Sequence, residues 1–453
     1  MENTQLKRAG VSYKPTYQIF LQKEKNYIQQ YSHVYLKRLL ALRHGLQGFI
    51  EQSKGCSVAE KIIGLKVGER VGVVGTLYKD QKLKPNVLDE FSNDVGAVPQ
   101  AKRENYAADD DSLLLEDESG RCNLQGVDES EWKQTVGELV SGIVVGCIGK
   151  LLETGTFEVE QMIFPGETYP KELPAFKFQD SKQSTTHETR YMVLTSGLYA
   201  GSSMESNSLY LQMLVDYVGG IFNPTTAASI VRVIVAGGAI SPPRVDDAFK
   251  NTTIDAKLQV ETQEILVESL RVADRWYAEL ASLCPVDVMP GEHDPSNASL
   301  PQQPLHQCLF SQAYGYKEQT FKLVPNPHSF QLGDNLNVLG HSGQPLQDAL
   351  RYMSPSVDAL DVLQRSLLQY RHLAPTAPDT LACYPFHDRD PFVIEKDNYR
   401  VLFAGGCSKF STSFVQGTRF ICVPDFRTTK QIVLVNLDSP ELEAATMSFE
   451  INL

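Results

Sequence analysis

"SIVRVIVAGG", residues 229–238, is a run of β-branched and aliphatic residues that stops at a glycine pair. Two other stretches share its form: "RYMVLTSGL" (190–198) and "PVDVMPG" (285–291) are apolar runs that end in glycine or a small residue. Short runs of this composition read as strands buried on both faces. Between them lie the helical stretches "SLYLQMLVDYVGG" (208–220) and "IDAKLQVETQEILVESLRVADRWYAELASL" (254–283), the second with Leu258, Ile265, Leu266, Leu270, Ala273, Trp276, Leu280 and Leu283 on one side. A strand–helix–strand order implies a largely parallel sheet. Such sheets bind ligands beyond the carboxyl ends of their strands, where the glycine-ended loops fall.

Upstream the periodicity differs. "KEKNYIQQYSHVYLKRLLALRHGLQGFI" (23–50) sets Tyr27, Tyr31, Tyr35, Leu39, Leu42, Leu46 and Phe49 near one helical face. Lys37, Arg38 and Arg43 lie beside that stripe, but its core-like spacing favours buried packing over nucleic-acid stacking. From about 62 to 165 the chain breaks into short β-like segments: "ERVGVVGTLYK", "DSLLLEDESGRCNLQGV" and "ELVSGIVVGCIGKLLETGTFEVEQMIFP". Gly72, Gly75, Gly142 and Gly146 suit the bends of a small closed barrel of the OB type. "AADDDSLLLEDE" (107–118) loads that barrel with acid, which a phosphate backbone avoids.

The 453 residues suggest two or three domains, with 42% hydrophobic and 21% charged residues as in ordinary globular chains. A formal charge of −13 disfavours nucleic acid as a direct partner and makes neutral to weakly acidic proteins the first expectation, with a basic segment on a partner as a further complement to the acidic surface. The eight cysteines form no C-x-x-C pair and read as reduced, mostly buried thiols. No apolar stretch approaches the length of a membrane span. Cys308 near His306, and Cys383 near His387, are close in sequence without forming a recognisable catalytic pattern, and no G-x-S-x-G elbow or P-loop is present.

The loop "VMPGEHDP" (288–295) resembles the G-N-H-[DE] box of calcineurin-like binuclear phosphoesterases, with Glu292 in place of asparagine and His293 and Asp294 kept. Those enzymes use successive strand-end motifs because two cations must clamp the phosphate and activate water. The other motifs depart further. Ser196 and Leu198 stand where D-x-H is expected, Gly238 and Ser241 where G-D-x-x-D is, and Gly406 and Ser408 where the final two histidines are. His372 in "YRHLAPTAP" is the candidate isolated histidine, while His341 in "LGHSGQP" reads as a loop residue. On this alignment Glu292, His293, Asp294 and His372 are too few ligands for two metals. No catalytic residue, cofactor or metal is therefore expected, and a rebuilt metal-dependent phosphodiesterase or 3′–5′ exonuclease is the alternative.

An OB-like barrel followed by a calcineurin-like domain without its ligands resembles the B-subunits of replicative DNA polymerases. Within them, "QQYSHVYLKRLLALR", "VMPGEHDPSNASLPQQPLHQCLF", "RHLAPTAPDTLACYPFHDRDPF" and "FICVPDFRTTKQIVLVNL" are similar to the small-subunit family of DNA polymerase delta. The resemblance implies an α/β plus all-β chain: an OB-fold barrel with a layered β-sandwich flanked by helices. The expected division is a variable tail (1–22), a helical segment (23–55), the OB domain (56–175), a linker or loop (176–190) and an inactive phosphoesterase domain (191–453). It further implies a nuclear accessory subunit in DNA replication and repair. Its partners would be the cysteine-rich C-terminal region of the catalytic subunit and the third subunit, with an indirect link to the sliding clamp and little or no direct DNA binding. Tyr384, Phe386 and Phe392 in "CYPFHDRDPF" are the candidate interface residues, with packing between the sheet layers as the equal alternative.

Overall fold

The computed structural model describes residues 7–24, 26, 28–85, 103–181, 189–201, 205–241, 256–396 and 398–450, without the side chains of 205–206 and 256–266. The chain forms two compact units: residues 1–24, 172–344 and 398–453, and residues 25–171 and 345–397.

The first unit holds two six-stranded sheets. In one, the three glycine-ended runs become Tyr191–Thr195, Ile230–Ala236 and Val286–Met289, parallel to one another and to Phe321–Leu323. Gln431–Asn436 and Ala444–Ser448 extend this sheet antiparallel. Successive residues of a strand face opposite ways. Accordingly Met192, Leu194, Ile234 and Ala236 enter a core shared with Phe330, Val338, Phe403 and Val423 of the second sheet. Val193, Val233 and Val235 pack instead with Leu214, Val218, Trp276, Tyr277 and Leu280, from helices Glu205–Gly219 and Ala256–Leu283. Of the positions expected along the longer helix, Leu258, Ile265 and Leu266 lie outside the described side chains.

The second sheet runs Tyr13–Pro15, His328–Leu332, Leu336–His341, Tyr399–Cys407, Thr418–Pro424, Ser411–Val415. Its first strand corrects the reading of residues 1–22 as a tail. Tyr13–Pro15 pairs antiparallel with Phe330–Leu332, and the Arg8 guanidinium donates to the Val218, Ala227 and Ile230 carbonyls. Farther along, Arg232 pairs with buried Asp287 at 2.6 Å and lies 3.9 Å from the centre of the Tyr13 ring. Polar anchors of this kind leave no apolar period to read.

The second unit contains a closed barrel of Arg70–Asp80, Ser112–Glu116, Arg121–Gly126, Val144–Leu151 and Thr156–Ile163. The third and fifth of these strands pair in parallel, and the fourth closes on the first with Val73 opposite Cys147. Between the third and fourth strands, helix Glu129–Glu138 is capped by Asp128, whose carboxylate accepts the Glu131 N–H. Helix Ser32–Lys54 packs on the barrel through Val34, Arg38, Leu39, Leu42, Leu46 and Ile50. Leu39, Leu42 and Leu46 of the expected stripe are buried and Phe49 packs beside them, whereas Tyr31 is 46% exposed, Tyr35 is half-buried and Tyr27 lies outside the described residues. A Cβ on Gly72 or Gly146 would come within 2.8 or 2.7 Å of the Ile50 side chain, so these glycines admit the helix as well as any bend.

Residues 345–397 group with the barrel, which departs from the expected single stretch 191–453. Buried polar groups supply the reason. The Lys79 ammonium donates to the Tyr352 and Leu139 carbonyls, Ser354 N–H to the Gly137 carbonyl, and Arg365 pairs with Glu138 at 2.7 Å. A buried ammonium without such acceptors would be costly.

Candidate functional site

The loops at the carboxyl ends of the first unit's parallel strands meet one another closely, backbone against backbone. Gly197 N–H donates to the Gly237 carbonyl at 2.9 Å, and Tyr199 N–H to the Gly238 carbonyl at 2.7 Å. Ser196 is buried; its hydroxyl donates to the Ala236 carbonyl at 2.7 Å and accepts the Gly406 N–H at 2.8 Å. A Cβ on Gly238 would lie 2.7 Å from Gly197 Cα, one on Gly291 2.6 Å from Gly238 N, and one on Gly405 2.2 Å from the Ala236 oxygen. Real Cβ atoms do not approach so closely. Ligand-bearing side chains at Gly238 and its neighbours would need the loops to separate.

Asp294 is the buried carboxylate here. Its oxygens accept the Ala239, Ile240 and Gly291 N–H groups at 3.0, 2.8 and 2.7 Å. Burial raises its pKa, opposed by those backbone donors. Asp294, retained from the box in the sequence, thus staples two loops together. Glu292, His293 and Ser408 are exposed, Ser241 is half-buried, and Leu198 belongs to the hydrophobic core. Among the described residues, no group of three or more His, Cys, Asp or Glu is placed to hold a metal.

Two histidines exchange places relative to expectation. His372 lies in the barrel unit, so the structure does not group it with the strand-end loops. His341, read as a loop residue, ends the Leu336–His341 strand of the sandwich and is buried. Its Nδ1 accepts the Gly343 N–H at 3.1 Å, and burial lowers its pKa to about 4. Next to it, the Ser342 hydroxyl donates to the Pro290 carbonyl at 2.7 Å, placing this strand end beside the "PGEHD" loop. The signal for His341 was present in "LNVLGH": an apolar run ending at glycine, as in the three strands already assigned.

His372 instead completes a buried charged centre. Arg38 Nε pairs with Asp390 at 2.7 Å, and its remaining nitrogens donate to the Gly142, Pro375 and Ala377 carbonyls. His372 Nε2 donates to the same Asp390 oxygen at 2.9 Å, while its Nδ1 accepts the Ala374 N–H. The ring is therefore neutral, with a pKa lowered to about 4 chiefly by burial and also by Arg38. Burial opposes ionisation of Asp390, but Arg38 and His372 outweigh it and hold the carboxyl below its ordinary range.

The candidate interface residues need correction. Tyr384, Phe386 and Phe392 are 6%, 4% and 1% exposed, so they pack inside this chain rather than offering a docking face. Tyr384 and Phe386 form an edge-to-face pair, and the Tyr384 hydroxyl accepts the Asn26 N–H. None of the eight cysteines forms a disulfide, and seven are buried. Exposed Cys308 follows His306, whose Nδ1 accepts the Cys308 N–H and caps a short turn, while Cys383 is buried and His387 exposed.

A five-stranded barrel and a two-sheet sandwich with closed strand-end loops define the class of polymerase B-subunits, and the comparisons agree. The family described as DNA polymerase delta subunit OB-fold domain matches residues 30–162, and the DNA polymerase alpha/epsilon B-subunit family matches residues 192–412. The chain is 38% identical to the DNA polymerase delta small subunit of Oryza sativa subsp. japonica, over 95% of each chain. It is 39% identical to that of Arabidopsis thaliana, over 95% of this chain and 94% of the relative. It is 34% identical to the DNA polymerase delta subunit 2 of Drosophila melanogaster, over 98% and 99% respectively. The chain belongs to the DNA polymerase delta small-subunit family. Among solved structures it is similar to an archaeal phosphodiesterase (10% identity, TM-score 0.29, 57% of this chain and 98% of that one). It is also similar to Vps29 from Entamoeba histolytica (12% identity, TM-score 0.23, 57% and 99%).

Proposed function

We propose that the chain is a non-catalytic subunit of DNA polymerase delta that joins the cysteine-rich C-terminal region of the catalytic subunit to the third subunit. It acts in the nucleus, in DNA replication and repair synthesis. Polymerase activity resides in the catalytic partner. The observation that carries the non-catalytic reading is the close approach of neighbouring backbone to Gly238, Gly291 and Gly405, in the space a binuclear centre needs. Two cations and a phosphate require at least three protein groups per ion and room for the phosphate. Among the described residues, the strand-end loops provide one buried carboxylate, Asp294, already engaged by backbone donors.

The decisive experiment is co-purification of the full chain with the C-terminal region of the polymerase delta catalytic subunit. A stable complex is expected, and failure to form one would overturn the assignment. With manganese, the purified chain should release no product from a phosphodiester or a DNA 3′ end. Robust turnover abolished by His293→Ala would instead establish the hydrolase.

A further inference from the structure

In the barrel unit, a groove of about 730 Å³ runs between helix Ser32–Lys54 and the outer barrel wall. Its apolar lining includes Tyr35, Leu36, Leu77 and Tyr78, and its rim carries the carboxylates of Glu116, Asp117, Glu118 and Asp379 against one lining cation, Arg121. Leu36 is 39% exposed, and Leu40, one turn along the same helix, is 50% exposed, so an apolar strip continues out of the groove. Three rim carboxylates have cationic neighbours: Glu118 pairs with Arg43, Asp379 with Lys84, and Glu116 with Arg121 at 3.9 Å. Counting Arg43, Lys84 and Arg121 against the four carboxylates leaves the rim negative. Partly exposed pairs of this kind contribute about 0–1 kcal/mol, so an incoming cation can replace them at small cost. Asp117 has no cation in this set; its carboxylate accepts the Ile62, Ser119 and Gly120 N–H groups.

We propose that this groove receives an extended segment of a partner subunit that carries lysine or arginine beside an aliphatic anchor. The anchor lies over Leu36 and Tyr78, and the cations face Glu116, Asp117 and Asp379. Barrels of this class commonly hold nucleic acid, but the acidic rim repels a phosphate backbone and admits a basic peptide. The assignment rests on the assembly role proposed above and adds the chemistry of the segment that docks.

The test uses the reconstituted polymerase assembly with primed DNA present. A photo-crosslinking amino acid is placed at Leu36, and at exposed Ile221 as a control. Crosslinking from position 36, and not from 221, to a lysine- or arginine-containing segment of a partner subunit is expected. Glu116→Lys with Asp379→Lys should weaken assembly at least tenfold at low salt, with the difference shrinking as salt rises. Crosslinks to DNA, to an acidic segment, or only within the chain would overturn the groove assignment while leaving the assembly role intact. If no assembly forms, both readings fall.

Discussion

The two buried polar centres look alike in composition and differ in construction. At Arg38–Asp390–His372, opposite charges meet at hydrogen-bond distance inside a shell of backbone carbonyls. At the strand-end loops, backbone meets backbone through glycine, and the one buried carboxylate is neutralised by N–H dipoles alone. A cluster of ionisable groups is thus no sign of chemistry by itself, and a motif-bearing loop can be pure packing. What separates the cases is whether open space remains for a substrate. Among the described residues, close backbone contacts occupy the strand-end centre, and ion pairs and carbonyls occupy the other.

Removing Arg38 should have the largest effect, because Asp390 would stay buried with only neutral partners. Arg38→Ala is expected to cost about 3–5 kcal/mol by chemical denaturation; a loss below about 1 kcal/mol would show that the centre is far wetter than its geometry indicates. Next comes pH. His341 is held neutral in the fold, with a pKa near 4 against an ordinary 6.5. The unfolded chain therefore binds a proton that the folded chain refuses. This contribution is complete above pH 6.5 and is lost as the pH falls toward 4, amounting to about 3 kcal/mol at 1.4 kcal/mol per unit. His372 acts in the same window and direction, whereas Asp294, with its raised pKa, acts in the opposite one. Comparing His341→Asn with the parent over that range isolates the one proton, and identical slopes would refute the assignment.

Gly405→Ala tests the packed loops directly. Its Cβ must displace the Ala236 carbonyl, so destabilisation of about 2 kcal/mol is expected, in line with other overpacked sites. An unchanged midpoint would mean the loops part easily enough to admit ligands. The smallest effect belongs to Glu292→Ala and His293→Ala, both exposed. Stability should change by less than about 0.5 kcal/mol, and assembly with the catalytic subunit should be unaltered.

The sandwich strands were legible because double burial leaves predominantly apolar runs such as "VRVIVA" and "VDVM", each broken only by one member of the Arg232–Asp287 pair, and the barrel because its strands are short and broken by turn residues. Less was legible where a single polar side chain does the fastening. Arg8 and Tyr13 bind the first residues to the sandwich without any period. Lys79 and Arg38 draw residues 345–397 to the barrel through carbonyls, which carry no sequence signature. His372 looked right for the isolated histidine because a motif match ignores which unit a residue joins, and Tyr384, Phe386 and Phe392 looked exposed because a proline-rich, charged string hides its buried rings.

The Tyr13–Pro15 strand has a consequence for how the chain is made. Its partner Phe330–Leu332 leaves the ribosome some 315 residues after it. The barrel unit likewise includes residues 345–397, made well after its strands. Each unit is interrupted by the other in sequence, so neither is complete until long after its first segment has been made. A truncation at any single point in the middle of the chain leaves both unfinished, and the nascent chain keeps apolar strand edges exposed throughout that interval.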